Sequence, residues 1–187
     1  MKLGDLVNIQ PGYQFRGRVV NDPQGDGFLI LLKDITESGE FKPKDLTKIS
    51  LEGINDKYHL QIGDILIPSR GQYSFSVFIK SKIERTVAAG YFYILRPKTK
   101  EVDSDYLSWF LNSKPAQAHL SKFKRGTNIL SLSKQGLEEL LVPIVPKESQ
   151  KQIAEISKLS KKEATISVRL QELRSKFVEE TILQELR

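Results

Sequence analysis

Two periodicities divide the chain. Through residues 1–146, short apolar runs stand between turn residues, the pattern of strands in a packed sheet: Phe28-Leu29-Ile30-Leu31-Leu32, Ile65-Leu66-Ile67, Phe75 to Ile79 and Gly90 to Leu95. Asp22-Pro23 and Gly25-Asp26-Gly27 read as loops, and Gly12, Gly17, Gly39, Gly53, Gly63 and Gly71 punctuate the strands. Asp105 to Leu111 predicts a short helix with Ser104 or Asp103 as its cap, and Ser133 can cap a second helix from about Lys134 to Leu141. Pro143 and Pro146 then stop it, because proline lacks the helix donor and clashes with the preceding turn.

Beyond Pro146 the pattern changes. Residues 147–187 contain no glycine and no proline. Ile153, Ile156 and Leu159 begin an apolar stripe; Leu159, Ile166 and Leu173 then recur every seven residues, with Leu170 and Phe177 as a second row. Together they form an a/d seam, interrupted at Glu163 and Glu180. A continuous helix of this length is a rod of roughly 60 Å. Its apolar face, Ile156, Leu159, Ile166, Leu170, Leu173 and Phe177, cannot be buried against itself and needs the globular part or a second helix. The fold class expected is therefore α+β: a strand-rich domain over 1–146, followed by one long helix over 147–187.

Composition narrows the chemistry. With 187 residues, 39% hydrophobic and 28% charged, the chain can bury a sizeable core. No apolar run approaches the ~18–20 residues of a membrane span, and the first residues have no signal-peptide character, so a cytoplasmic location is expected. No cysteine is present, which removes disulfides, thiol nucleophiles and cysteine metal sites. The two histidines, His59 and His119, stand in unrelated contexts, against a Ser-His-Asp triad or a multi-histidine metal centre. The net charge of +6 is unevenly placed: residues 65–137 hold twelve basic and four acidic side chains, and no acid falls between Tyr106 and Leu137. Such a region attracts a polyanion, nucleic acid being the usual one; the alternative is a solvated face that keeps the protein soluble.

Three segments carry groups suited to nucleic acid. In Lys122-Phe123-Lys124-Arg125-Gly126-Thr127-Asn128, cations surround an aromatic ring, glycine allows close approach, and hydroxyl and amide groups follow. Arg70-Gly71-Gln72-Tyr73 follows the buried-looking strand Gly63 to Ile67; arginine suits guanine, glutamine suits adenine, and tyrosine can stack. Tyr13-Gln14-Phe15-Arg16-Gly17-Arg18 repeats that chemistry, with Arg16 and Arg18 as cations and Tyr13 or Phe15 equally suited to the core. For a metal-dependent nuclease, Asp26 or Asp34 with Glu40 and Lys42 has the loose carboxylate–lysine spacing such sites use, a pattern common by chance.

Taken in order, these pieces resemble the DNA-specificity (S) subunits of type I restriction-modification systems. The resemblance rests on Lys2-Leu3-Gly4-Asp5-Leu6-Val7 and Ile9-Gln10-Pro11-Gly12-Tyr13-Gln14-Phe15-Arg16-Gly17; on Gly63 to Ile67 with Arg70-Gly71; on Tyr106-Leu107 with Phe110-Leu111; on Arg125-Gly126-Thr127 with Ile129 and Leu132-Ser133; and on Leu141-Val142-Pro143-Ile144-Val145-Pro146 followed by Gln150 and Gln152-Ile153-Ala154. It covers essentially the whole chain. It implies a target recognition domain passing into a spacer helix, with no catalytic site of its own. Its partners would be double-stranded DNA, modification subunits that use S-adenosylmethionine, and a restriction subunit they recruit. No cofactor is expected on this chain. In that family one S chain usually carries two recognition domains and two antiparallel helices. This sequence has one of each, a half-S arrangement, and its helix is expected to pair with a second copy. The other functions the residues allow are a protein-interaction module with a docking helix, or a small nuclease.

Overall fold

The structure is a computed structural model and describes residues 1–36, 41, 45–71, 75–80, 83–126 and 130–185. It is α+β, with a strand-rich body and a long C-terminal helix. The central sheet is antiparallel in the order β1 (Val7–Pro11), β7 (Phe92–Pro97), β4 (Ile65–Pro68), β5 (Val77–Phe78). A second sheet pairs β2 (Gly27–Ile30) with antiparallel β3 (Thr47–Ile49) and parallel β6 (Thr86–Ala88).

The inner strands β4 and β7 are covered on both faces, which is why they read as unbroken apolar runs, whereas the edge strand β1 alternates. Successive residues point to opposite faces. Ile65, Ile67 and Leu95 enter a core built with α1 (Leu3–Leu6), α2 (Ser104–Leu111), α3 (Lys114–Lys122) and α4 (Lys134–Glu138), whereas Leu66, Phe92 and Ile94 enter a second core with β2, β3 and β6. Asp64, before β4, is fully buried and meets Arg96 of β7 through two guanidinium bonds of 2.8 Å; it also accepts the Gln61 N–H at 2.8 Å. The Gly63-Asp64 pair thus closes the turn into β4, and Gly63 holds the φ of +96° that the turn requires.

The helix signals behave as their chemistry predicts. Asp103 caps α2 by accepting from the N–H groups of Asp105 and Tyr106. Ser133 caps α4, but α4 ends at Glu138 rather than near Leu141, because residues 140–142 pair with the first three residues instead: Leu3 N–H bonds Leu140 O and Val142 N–H bonds Met1 O, each at 2.8 Å. The expected strand over Phe28 to Leu32 stops at Ile30 and becomes a tight turn at Leu32–Asp34, and of Phe75 to Ile79 only Val77–Phe78 is strand. Helix α3 was not expected; Ser113 caps it, with a proline in its first turn.

The last element, α5, runs unbroken over Lys147–Glu185. Its first turns are fastened to the body by Gln150, which is fully buried. The Gln150 side chain accepts from the Asp103 N–H at 2.7 Å and donates to Glu101 O at 2.9 Å and Val145 O at 2.8 Å. Ile153 packs on the first core. Beyond that point the six seam residues, Ile156 to Phe177, are 46–70% exposed.

Candidate nucleic-acid interface

The Arg70 and Arg125 segments, distant in sequence, meet at one edge of the body. After β4 the backbone at Ser69–Gly71 pairs with the strand β9 (Ser131–Leu132): Leu132 N–H bonds Ser69 O and Gly71 N–H bonds Leu130 O, both at 2.8 Å. On its other side β9 pairs antiparallel with β8 (Lys124–Arg125). The register sets Arg70 and Arg125 on either side of Ser131. Directly opposed residues in antiparallel ladders share a face, and all three are exposed. Two arginines and a hydroxyl therefore stand in a row on the outer face of a three-segment layer. Gly71, at φ +104°, and Gly126, at φ +130°, let the chain turn away at its ends.

The opposite face of the layer belongs to the core. Leu132 is 1% exposed, and Lys124 stands opposite it. The Lys124 ammonium donates to Gly71 O at 3.4 Å, and burial lowers its pKa. Lys124 thus braces the Arg70 loop from within, whereas Lys122, at the end of α3, is exposed. Tyr93 donates to Leu132 O at 3.2 Å and fixes the layer to β7; desolvation, with the nearby Glu138 carboxylate, raises its hydroxyl pKa. Phe123 is a packing residue: a Cβ at Gly136 would lie 2.3 Å from the Phe123 Cβ, so Gly136 lets α4 close onto that ring.

The Tyr13–Arg18 segment meets Arg70 from another direction. Gly12 lies so near the carbonyls of Ala88 and Ala89 that a Cβ would sit 2.5 and 2.3 Å from them. Tyr13 then bridges Ala89, and its ring meets Phe15 edge-on at 4.8 Å and Tyr58 at 5.2 Å. Tyr13 and Phe15 are half-buried, while Arg16 and Arg18 are exposed on either side of Gly17. Between this segment and Tyr91 lies a recess of about 440 Å³ with Arg70 in its wall. Nothing in the sequence announced it, because its walls come from four separated segments. Gln72, Tyr73, Thr127 and Asn128 lie outside the described residues.

Two of the three carboxylates considered for nuclease chemistry, Asp26 and Asp34, have structural work. Asp26 accepts from the Leu51 N–H at 2.8 Å, a bond that lowers its pKa, and pairs with Arg85. Asp34 is 5% exposed and accepts from the Leu31 N–H at 2.8 Å. Glu40 and Lys42 lie outside the described residues; among those described, no three metal-ligating side chains gather. His119 contacts Gly136 O at 3.2 Å and stacks near Phe123, and His59 Nδ1 lies 3.6 Å from Asp56; the two are separate.

Fold and site together define an α+β module with a cationic edge and a projecting helix. The sequence profile of the type I restriction modification DNA specificity domain matches residues 1–174, and the chain belongs to that family. It is 33% identical over 122 residues to the putative type I restriction enzyme MjaX specificity subunit of Methanocaldococcus jannaschii, covering 60% of this chain and 28% of that protein. Its fold is similar to the type I restriction-modification S subunit of M. genitalium, with a TM-score of 0.59 and 16% identity over 85% of this chain. It is also similar to the HsdS subunit of Thermoanaerobacter tengcongensis, with a TM-score of 0.58 and 17% identity over 91% of this chain. The chain spans 37% and 38% of those two solved chains.

Proposed function

We propose that this chain is a sequence-specific DNA-binding subunit that directs type I modification subunits, and through them a restriction subunit, to a bipartite duplex target. Residues 1–146 read one half-site and 147–187 form the spacer helix. The chain has no catalytic activity of its own; S-adenosylmethionine belongs to the modification subunit. The observation that carries this reading is the exposed row of Arg70, Ser131 and Arg125, in a chain of the DNA-specificity family. Lys122, Arg16 and Arg18 supply further positive charge, and Gln72, Tyr73, Thr127 and Asn128, which follow Arg70-Gly71 and Arg125-Gly126 in sequence, are assigned to base edges. The apolar face of α5 pairs with the helix of a second copy, antiparallel, as the S-subunit resemblance suggests.

Duplex binding measured across a salt series tests the reading. Log affinity is expected to fall linearly with log salt, by about 0.9 per phosphate contact. Association that is absent, or indifferent to salt, would leave the charge as a solubility feature and the helix as a protein-docking device.

A further inference from the structure

Beside the arginine row lies the recess between the Tyr13–Val19 segment and Tyr91, and it has a character the row lacks. Its walls are the rings of Tyr13, Phe15 and Tyr91 with Val19 and Leu29, and Arg70 and Gln14 are its long polar side chains. None of its lining residues is acidic, and Arg16 and Arg18 flank Gly17 at its wall. Groups that read a closed duplex protrude into its grooves; a recess works the other way and receives something that protrudes from the ligand. On DNA, the protruding piece with apolar faces and a hydrogen-bonding edge is a base out of its stack. A cavity of about 440 Å³ with aromatic walls, an amide and a guanidinium suits that shape. The three arginines suit the phosphates that flank the base.

We propose that this recess is a docking site for a single unstacked nucleobase of the bound DNA, held among Tyr13, Phe15 and Tyr91 while Arg70 engages its edge or its phosphate. The inference rests on the DNA-binding reading and extends it: the domain captures a distortion of the duplex as well as a groove surface. Stacking against aromatic rings tolerates any base, so the site holds a displaced base whatever the target sequence.

The test compares a labelled duplex carrying one unpaired extra adenine with the same duplex fully paired, using the whole chain. The wild type is expected to bind the bulged duplex roughly tenfold more tightly, the scale of one base–aromatic stack. Val19→Trp fills the recess and should abolish that preference while leaving affinity for the paired duplex unchanged. Phe15→Ala, which removes a wall, serves if the tryptophan variant fails to fold. Equal affinity for the two duplexes in the wild type, or a preference that survives in the folded variant, would overturn the proposal. So would tight binding of adenosine monophosphate without any preference for the bulged duplex, since it would assign the recess to a free nucleotide. If neither duplex binds, the DNA-binding reading falls and takes this inference with it; if the paired duplex binds with its salt slope and only the bulge preference is missing, that reading stands and this inference alone is lost.

Discussion

Single residues in the arginine row and its underside divide the work between contact and support. Arg70 and Arg125 face outward beside Ser131, whereas Lys124, one residue away, faces the core. The residue types were legible in the sequence; the direction of Lys124 was not, because it depends on its register with Leu132 of β9. Replacing Lys122 and Arg125 together with alanine should flatten the salt slope of DNA binding by about 1–2 units, at about 0.9 per lost phosphate contact. An unchanged slope in the folded variant would remove both from the interface. Arg70→Ala separates reading from positioning: a base contact should shift preference between sequences by about 1–3 kcal/mol, while a phosphate contact weakens all sequences alike. Support of another kind comes from Asp64, whose buried carboxylate holds Arg96. Asp64→Ala would strand a half-buried guanidinium and leave the Gln61 N–H unpaired, at a cost of about 3 kcal/mol read from urea unfolding. A loss below about 1 kcal/mol would mean that solvent replaces the pair.

Among the elements, those specified locally were readable and those specified by distant partners were not. Asp103 and Ser133 announce α2 and α4 through their capping oxygens, and the apolar runs of β4 and β7 announce strands covered on both faces. Strands β8 and β9 are two residues each and exist because β9 pairs with β8 on one side and with Ser69–Gly71 on the other, so no local pattern marks them. Helix α3 did leave a signal, Ser113 followed by Pro115, but within its nine residues only Ala116 and Leu120 are buried, too short an apolar stripe to stand out in the sequence. Helix α5 was legible in its apolar periodicity, and the structure adds where the cover of that face ends: Gln150 and Ile153 are held by the body, whereas the seam side chains from Ile156 to Phe177 are exposed. If a second helix covers that face, replacing Leu170 and Leu173 with aspartate would bury charge in the seam at a cost of several kcal/mol. Sedimentation should then shift from dimer to monomer while the strand-rich body keeps its circular dichroism. A wild-type chain that sediments as a monomer at tens of micromolar would rule out self-pairing.

At the scale of the whole molecule, the proposed function makes α5 a ruler. Its 39 residues rise about 58 Å, with the reading body fixed at one end through Gln150 and Ile153. An antiparallel pair of such helices would carry two reading bodies at opposite ends, related by a twofold axis. Two half-sites read in that way would be inverted repeats with a fixed gap, so the dimer proposed above would take a split palindrome as its target. The most direct measurement of the central claim is to co-express the chain with type I modification subunits, purify the complex through this chain, and map the bases methylated in the host genome. The account predicts that modification subunits co-purify, that methylation falls on one split inverted repeat, and that Arg70→Ala or Arg125→Ala relaxes or empties that set of sites. Methylation at the same sites without the chain, or a site pattern indifferent to both arginines, would contradict it.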